Sequence, residues 1–137
     1  MPSKEITVKT RGAGLYEITD RIEEFVSGCG ISAGLCNVFL KHTSASLVIQ
    51  ENADPSARSD LEVWFKKMVP ENNPDFTHTL EGPDDMPSHI KAALTATSIS
   101  VPIVGGALAL GTWQGIYLFE HRRRGHSRRV LVTVLEG

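Results

Sequence analysis

Apolar and polar positions divide the chain into short elements of two periods. Residues 4 to 10 alternate, with Ile6 and Val8 set against Glu5 and Thr7, and residues 14 to 19 form a second extended piece, so the pair predicts a β-hairpin. Ile22, Phe25 and Val26 share one stripe of a helix over residues 20 to 28. Asp20 reads as its N-cap, Glu23 completes a capping box, and Gly28 and Gly30 supply the stop. From Gly34 to Gln50 β-branched and apolar residues dominate on both sides of a polar break at His42 to Ser46, which predicts two strands. Asp54-Pro55 opens a second helix, along which Ala57, Leu61, Trp64, Phe65 and Met68 recur at helical spacing before Pro70.

Residues 71 to 85 are polar and rich in turn formers, a candidate functional loop. A third helix is predicted from Met86 to Ala96, with Asp84 and Asp85 at the positive end of its dipole. The last third reads as strands over Ser98 to Val104, Ala107 to Leu110, Trp113 to His121 and Arg129 to Leu135, with turns at Gly105-Gly106 and Gly125. Alternation in the third of these places Gln114, Ile116, Leu118 and Glu120 on one face and Trp113, Tyr117, Phe119 and His121 on the other. No repeat, low-complexity block or linker intervenes, so residues 1 to 137 are expected to form a single α+β domain.

Composition adds limits. Hydrophobic residues at 41% and charged residues at 22% fit a globular protein and not a disordered one. The net charge of -2 gives no bulk attraction to nucleic acid or anionic lipid, so anion binding must be local, as around Arg122, Arg123, Arg124, Arg128 and Arg129. Cys29 and Cys36 match neither a zinc knuckle nor a redox pair and read as reduced, inert thiols. Without an apolar signal segment or a run approaching about 20 apolar residues, the expected location is cytoplasmic, with no membrane association.

Candidate chemistry begins at His42-Thr43-Ser44-Ala45-Ser46, one imidazole and three hydroxyls between apolar runs; the hydroxyls serve either a ligand or the amides of a turn. Asp54 is explained as a helix cap, whereas Glu51 and Asn52 have no evident structural duty. His78 and His89 flank the acidic segment Glu81 to Asp85 at a spacing that fits no local metal motif. Trp113 suits the core or a platform for a flat ring. The arginines of the last hairpin are either solvated charge, the reading for Arg123 and Arg124, or a phosphate clamp, which stays open for Arg122.

Taken together, HTSASLVIQENADPS, HTLEGPDDMPSHIK and GTWQGIYLFEHR resemble the YjbQ-like family, associated with secondary thiamine-phosphate synthase activity. The resemblance runs from Gly34 to the C-terminus and is looser before it. It implies a homotrimer of α+β subunits, mainly antiparallel sheet in a sandwich-like arrangement with about three helices beside it. It also implies a metal or anion held by His42, His78 and His89, the ion being zinc or magnesium. Gln50, where members often carry asparagine, and His121, where others differ, stay outside that set.

The activity so implied joins a hydroxymethylpyrimidine diphosphate to a thiazole phosphate. His42, Glu51 and His89 are the expected catalytic residues, and Ser44, Ser46, Asn52, Trp113, Gln114 and Arg122 the expected substrate contacts. Two alternatives stand beside it. One is a metal-dependent hydrolase of a phosphate or similar ester. The other is a trimeric, non-enzymatic anion-binding module using the Arg122 to Arg129 hairpin, for which nucleic acid is a poor partner given the acidic balance.

Overall fold

The computed structural model describes all residues from Met1 to Gly137. In chain order the elements are β1 (Ser3–Lys9), β2 (Gly14–Glu17), α1 (Thr19–Gly28), β3 (Ala33–Leu40), β4 (Ala45–Glu51), α2 (Pro55–Met68), α3 (Asp85–Leu94), β5 (Ser98–Val104), β6 (Ala107–Leu108), β7 (Gln114–Glu120) and β8 (Ser127–Glu136). The strands form a five-stranded sheet, β1-β8-β3-β5-β6, and a three-stranded sheet, β2-β7-β4, with antiparallel pairing throughout. The α+β architecture read from the sequence is therefore present, with antiparallel sheet as its frame.

Period-two alternation builds the core. Cys36, Val38 and Leu40 of β3, Val130, Val132 and Val134 of β8, and Val101 and Ile103 of β5 face inward from the larger sheet. Leu47, Ile116 and Leu118 meet them from the smaller sheet, and Ile18, Ile22 and Val26 bring the apolar stripe of α1 into the same cluster. The opposite side of the smaller sheet carries Tyr117 and Phe119, which pack with Leu15 and with Phe65 of α2. Expected alternation along β7 is thus realised as two different cores.

Three expectations are corrected. β1 and β2 do not form a hairpin, because β1 pairs with β8 and β2 with β7, so the chain crosses between sheets at residues 10 to 13. Asp20 does not cap α1. The amide of Ile18 donates to the carbonyl of Ile116 and the Thr19 hydroxyl accepts from the Ile116 amide, so contacts with β7 fix where that helix begins. The third helix ends at Leu94 and not at Ala96, because Ala96 exchanges both backbone hydrogen bonds with Leu47 of β4.

Asp54 does cap α2, accepting from the Ser56 amide at 2.9 Å, although Trp64 and Met68 of the expected core stripe are exposed. At the β5–β6 turn Gly105 and Gly106 have φ of 59° and 80°, the left-handed pair that a two-residue hairpin loop requires. No helix is long and apolar enough to cross a membrane.

Candidate metal centre

α3 begins at Asp85, and helical geometry places His89, four residues on, over the same face. The loop before α3 returns His78 to that face. His78 Nε2 lies 2.7 Å and His89 Nε2 3.0 Å from Asp85 Oδ2, and the three atoms fall within 4.8 Å of one another. Asp85 is buried, His89 half-buried and His78 exposed, so the group opens to solvent on one side.

Neighbouring groups fix these side chains. Arg122 gives Nη1 to Asp85 Oδ1 at 2.8 Å and Nε to Asp84 Oδ2 at 3.0 Å, and Nη2 reaches the Glu81 carbonyl at 2.9 Å. Burial works against ionisation of Asp85, but the His78 hydrogen bond and the His89 and Arg122 charges outweigh it and hold the carboxyl below its ordinary range. His89 Nδ1 donates to the Thr43 carbonyl at 2.8 Å, which turns Nε2 towards Asp85 and makes it the nitrogen that takes up a proton or a cation. A lone pair facing a carboxylate oxygen is repulsive unless a proton or a cation lies between them. Two imidazole nitrogens and one carboxylate oxygen, with His89 and Asp85 oriented from behind, form a donor set that suits a divalent cation, zinc more than the oxygen-preferring magnesium.

His42 stands apart from the converging donors. Its Nε2 accepts the Arg129 amide at 2.8 Å, so the one lone pair of the neutral ring is already engaged and the expected ligand role fails for this atom. Burial first, then the Arg128 and Arg129 charges, lowers its pKa and keeps the ring neutral. His42 and His89 nevertheless line one cavity of about 520 Å³ with Thr43 and Thr97. Behind His42, Arg128 pairs with the fully buried Glu120 and donates to Ser44 Oγ at 2.9 Å. Ser46 is also fully buried, its Oγ 2.9 Å from His121 Nε2. Ser46 is thereby not free to serve as the substrate donor expected of it, whereas Ser44, half-buried, accepts from Arg128 and keeps its hydroxyl proton.

Comparison with known proteins decides the family. The model of the YjbQ-like UPF0047 proteins matches residues 4–137. The chain belongs to the YjbQ-like family. A UPF0047 protein of Synechocystis sp. is 50% identical over 129 residues, covering 94% of this chain and 88% of the relative, and the UPF0047 protein YjbQ of Escherichia coli O157:H7 is 42% identical over 132 residues, covering 96% and 95%. Among solved structures, a yjbq/upf0047 family protein from Clostridium acetobutylicum superposes with a TM-score of 0.89 at 37% identity, covering 96% of this chain and 99% of that one. A protein from Aeropyrum pernix K1 does so with 0.90 at 30% identity over the full length of both.

In this YjbQ-like chain the expected site residues fall into two groups. His42, Ser44, Ser46, His78, His89 and Arg122 gather around the start of α3. Glu51, Asn52, Trp113 and Gln114 lie at the other end of the β4–β7 ladder, where Glu51 pairs with Gln114 while Ala45 pairs with Glu120, about 20 Å away along the strands. Two of these have structural duties: Glu51 Oε2 accepts the Ala53 and Asp54 amides, and Gln114 Oε1 accepts the Gly111 amide. Trp113 is 62% exposed and forms no part of a core. Arg122 is also corrected, its guanidinium being engaged by Asp84, Asp85 and Glu81 and not presented to a phosphate. Asp85, the third donor, reads from the sequence only as a helix-dipole residue, although its spacing of four from His89 on a helix carries the signal.

Proposed function

We propose that this YjbQ-like protein is a divalent-metal-dependent enzyme acting on a small phosphorylated metabolite, and that its reaction is transfer of the thiamine-phosphate synthase type. The convergence of His78 Nε2, Asp85 Oδ2 and His89 Nε2 within 4.8 Å carries the reading. In that reaction the C–O bond between the pyrimidine methylene and the diphosphate breaks, its electron pair leaving with diphosphate, while the thiazole nitrogen lone pair forms the new C–N bond. A cation held by His78, Asp85 and His89 would supply charge compensation for the departing diphosphate. Arg122 positions Asp85, and the Thr43 carbonyl positions His89. Trp113 and Gln114 take no part in this single-chain arrangement.

A second reading, hydrolysis of a phosphate or similar ester, is favoured by the donor count, because three protein ligands with one open side is the pattern of catalytic zinc sites. The hairpin arginines give the non-enzymatic alternative less support, since Arg122, Arg123 and Arg128 are all paired within the chain. A cytoplasmic setting and a homotrimer complete the proposal. Metal analysis of the purified protein, followed by assay of both thiamine precursors with and without chelator, tests it. Stoichiometric metal, chelator-sensitive product and at least a hundredfold loss in His89→Ala are expected. Turnover of phosphoesters alone moves the assignment to hydrolysis, and full synthase activity in His89→Ala overturns it.

A further inference from the structure

α3 separates the proposed metal centre from a second cavity. Lys91 is turned by about 200° around the helix from His89 and lines a space of about 340 Å³ between α2, α3 and β7. That volume lies at the lower end of the range, about 300 to 1,000 Å³, usual for small-molecule sites. Phe65 and Phe119, with ring centroids 5.1 Å apart, give it an apolar wall.

The charges on this wall do not cancel. Glu62 accepts the Leu15 amide at 2.7 Å, Glu71 is paired with Arg123, and Glu120 with Arg128. Lys66 and Lys91 line the same cavity and take part in none of the ion pairs of the protein. Two cations thus face it outside any ion pair, and set against the Glu62 carboxylate they leave one positive charge in excess on the wall.

The floor adds an independent signal. His121 lines the cavity, is only 3% exposed, and its Nδ1 has no hydrogen-bond partner in the chain. Its tautomer follows from Ser46, whose buried hydroxyl proton has His121 Nε2, 2.9 Å away, as its acceptor. If Nε2 carried the ring proton, both the Ser46 hydroxyl proton and the Nδ1 lone pair would be buried without partners. With the proton on Nδ1, a single donor is left unsatisfied, the less costly outcome. Burial first, with the Lys91 and Arg128 charges beside it, pushes the pKa down to about 3 and keeps the ring neutral. An unsatisfied N–H and two unpaired ammonium groups call for an acceptor that carries negative charge.

We propose that this cavity binds a small organic anion, its phosphate or carboxylate oxygens held by Lys66, Lys91 and His121 Nδ1–H while Phe65 and Phe119 cover its apolar part. The site is distinct from the metal centre and stands or falls without it.

The test uses purified, full-length protein labelled with ¹⁵N at histidine, titrated in one arm with inorganic phosphate and in another with benzoate. Ring correlation spectra follow His121, and calorimetry follows the affinity. The free protein should show the Nδ1–H tautomer, and at least one probe should shift that signal saturably, the responding arm identifying the anion class. Lys66→Ala/Lys91→Ala should weaken binding at least tenfold, with Lys66→Gln/Lys91→Gln as the check on folding, while His78→Ala should leave the affinity within twofold. An Nε2–H tautomer, no saturable shift with either probe, or binding lost in His78→Ala and retained in the lysine variants would overturn the proposal.

Discussion

Glu120 and Arg128 form an ion pair within the protein, with the carboxylate fully buried and the guanidinium nearly so; Thr10 adds a hydrogen bond to Glu120 at 2.7 Å. A buried pair gains little over apolar packing, yet losing one partner strands a charge away from water. Arg128→Met alone is therefore expected to cost about 3 to 5 kcal/mol by urea unfolding, and Glu120→Gln/Arg128→Met distinctly less than that. An equal or larger loss in the double variant would show that the pair itself, and not the stranded charge, dominates. His121 gives a second prediction at this scale. With its folded pKa pushed down to about 3, the unfolded chain binds a proton near pH 6.5 that the native ring refuses, so stability falls as pH drops from 6.5 towards 3. The His121 share of the slope should approach about 1.4 kcal/mol per pH unit within that window, and the difference between the parent protein and His121→Phe in denaturant titrations at stepped pH isolates it from the same-signed shares of His42, Asp84 and Asp85. Lys91 and Arg128 are the charges facing the ring, and both persist across that range.

Elements were legible in the sequence wherever local chemistry sets them. Asp54-Pro55 opens α2 as read, because a capping carboxylate and a proline at the first turn act within a few residues. Removing the cap in Asp54→Ala should lower the thermal unfolding midpoint, with the loss confined to the start of α2. Glu51→Ala should destabilise to a similar extent, since its carboxylate holds the Ala53 and Asp54 amides at 2.9 and 2.8 Å. A stable Glu51→Ala protein would return that residue to the list of functional candidates. What the sequence concealed was set by distant partners. The supposed first hairpin is split because β1 finds β8 and β2 finds β7, and α3 is shortened by a bridge between Ala96 and Leu47. The site shows the same division. Asp85 and His89 share a helix face by spacing alone, but His78 joins them only through the loop, and His121 finds Ser46 across 75 positions. Alternation did place Glu120 with Ile116 and Leu118; nothing local revealed that Arg128 would neutralise it there.

At the scale of the whole molecule, the larger sheet has an outer face that the chain leaves uncovered. Leu35 and Phe39 of β3 stand at 47% and 42% exposure, opposite Leu135 and Leu131 of β8, and Val104 of β5 lies on the same sheet, also exposed. These side chains form two apolar pairs on one face, separated by the polar pair Asn37 and Thr133, and exposed apolar side chains grouped on one face mark association surfaces more often than free ones. This face is a candidate surface for the proposed homotrimer. Trp113, also exposed, lies immediately before β7 of the smaller sheet. Phe39→Lys combined with Leu135→Glu puts charge on both apolar pairs while leaving the inward Val38 and Val134 untouched, so the fold should persist as the assembly dissociates. Light scattering on a sizing column should then report about three times the 15.0 kDa chain mass for the parent protein and a single chain mass for the variant, with unchanged far-ultraviolet circular dichroism. A parent protein that elutes at one chain mass removes the trimer, and a variant that stays at three places the contact on another face.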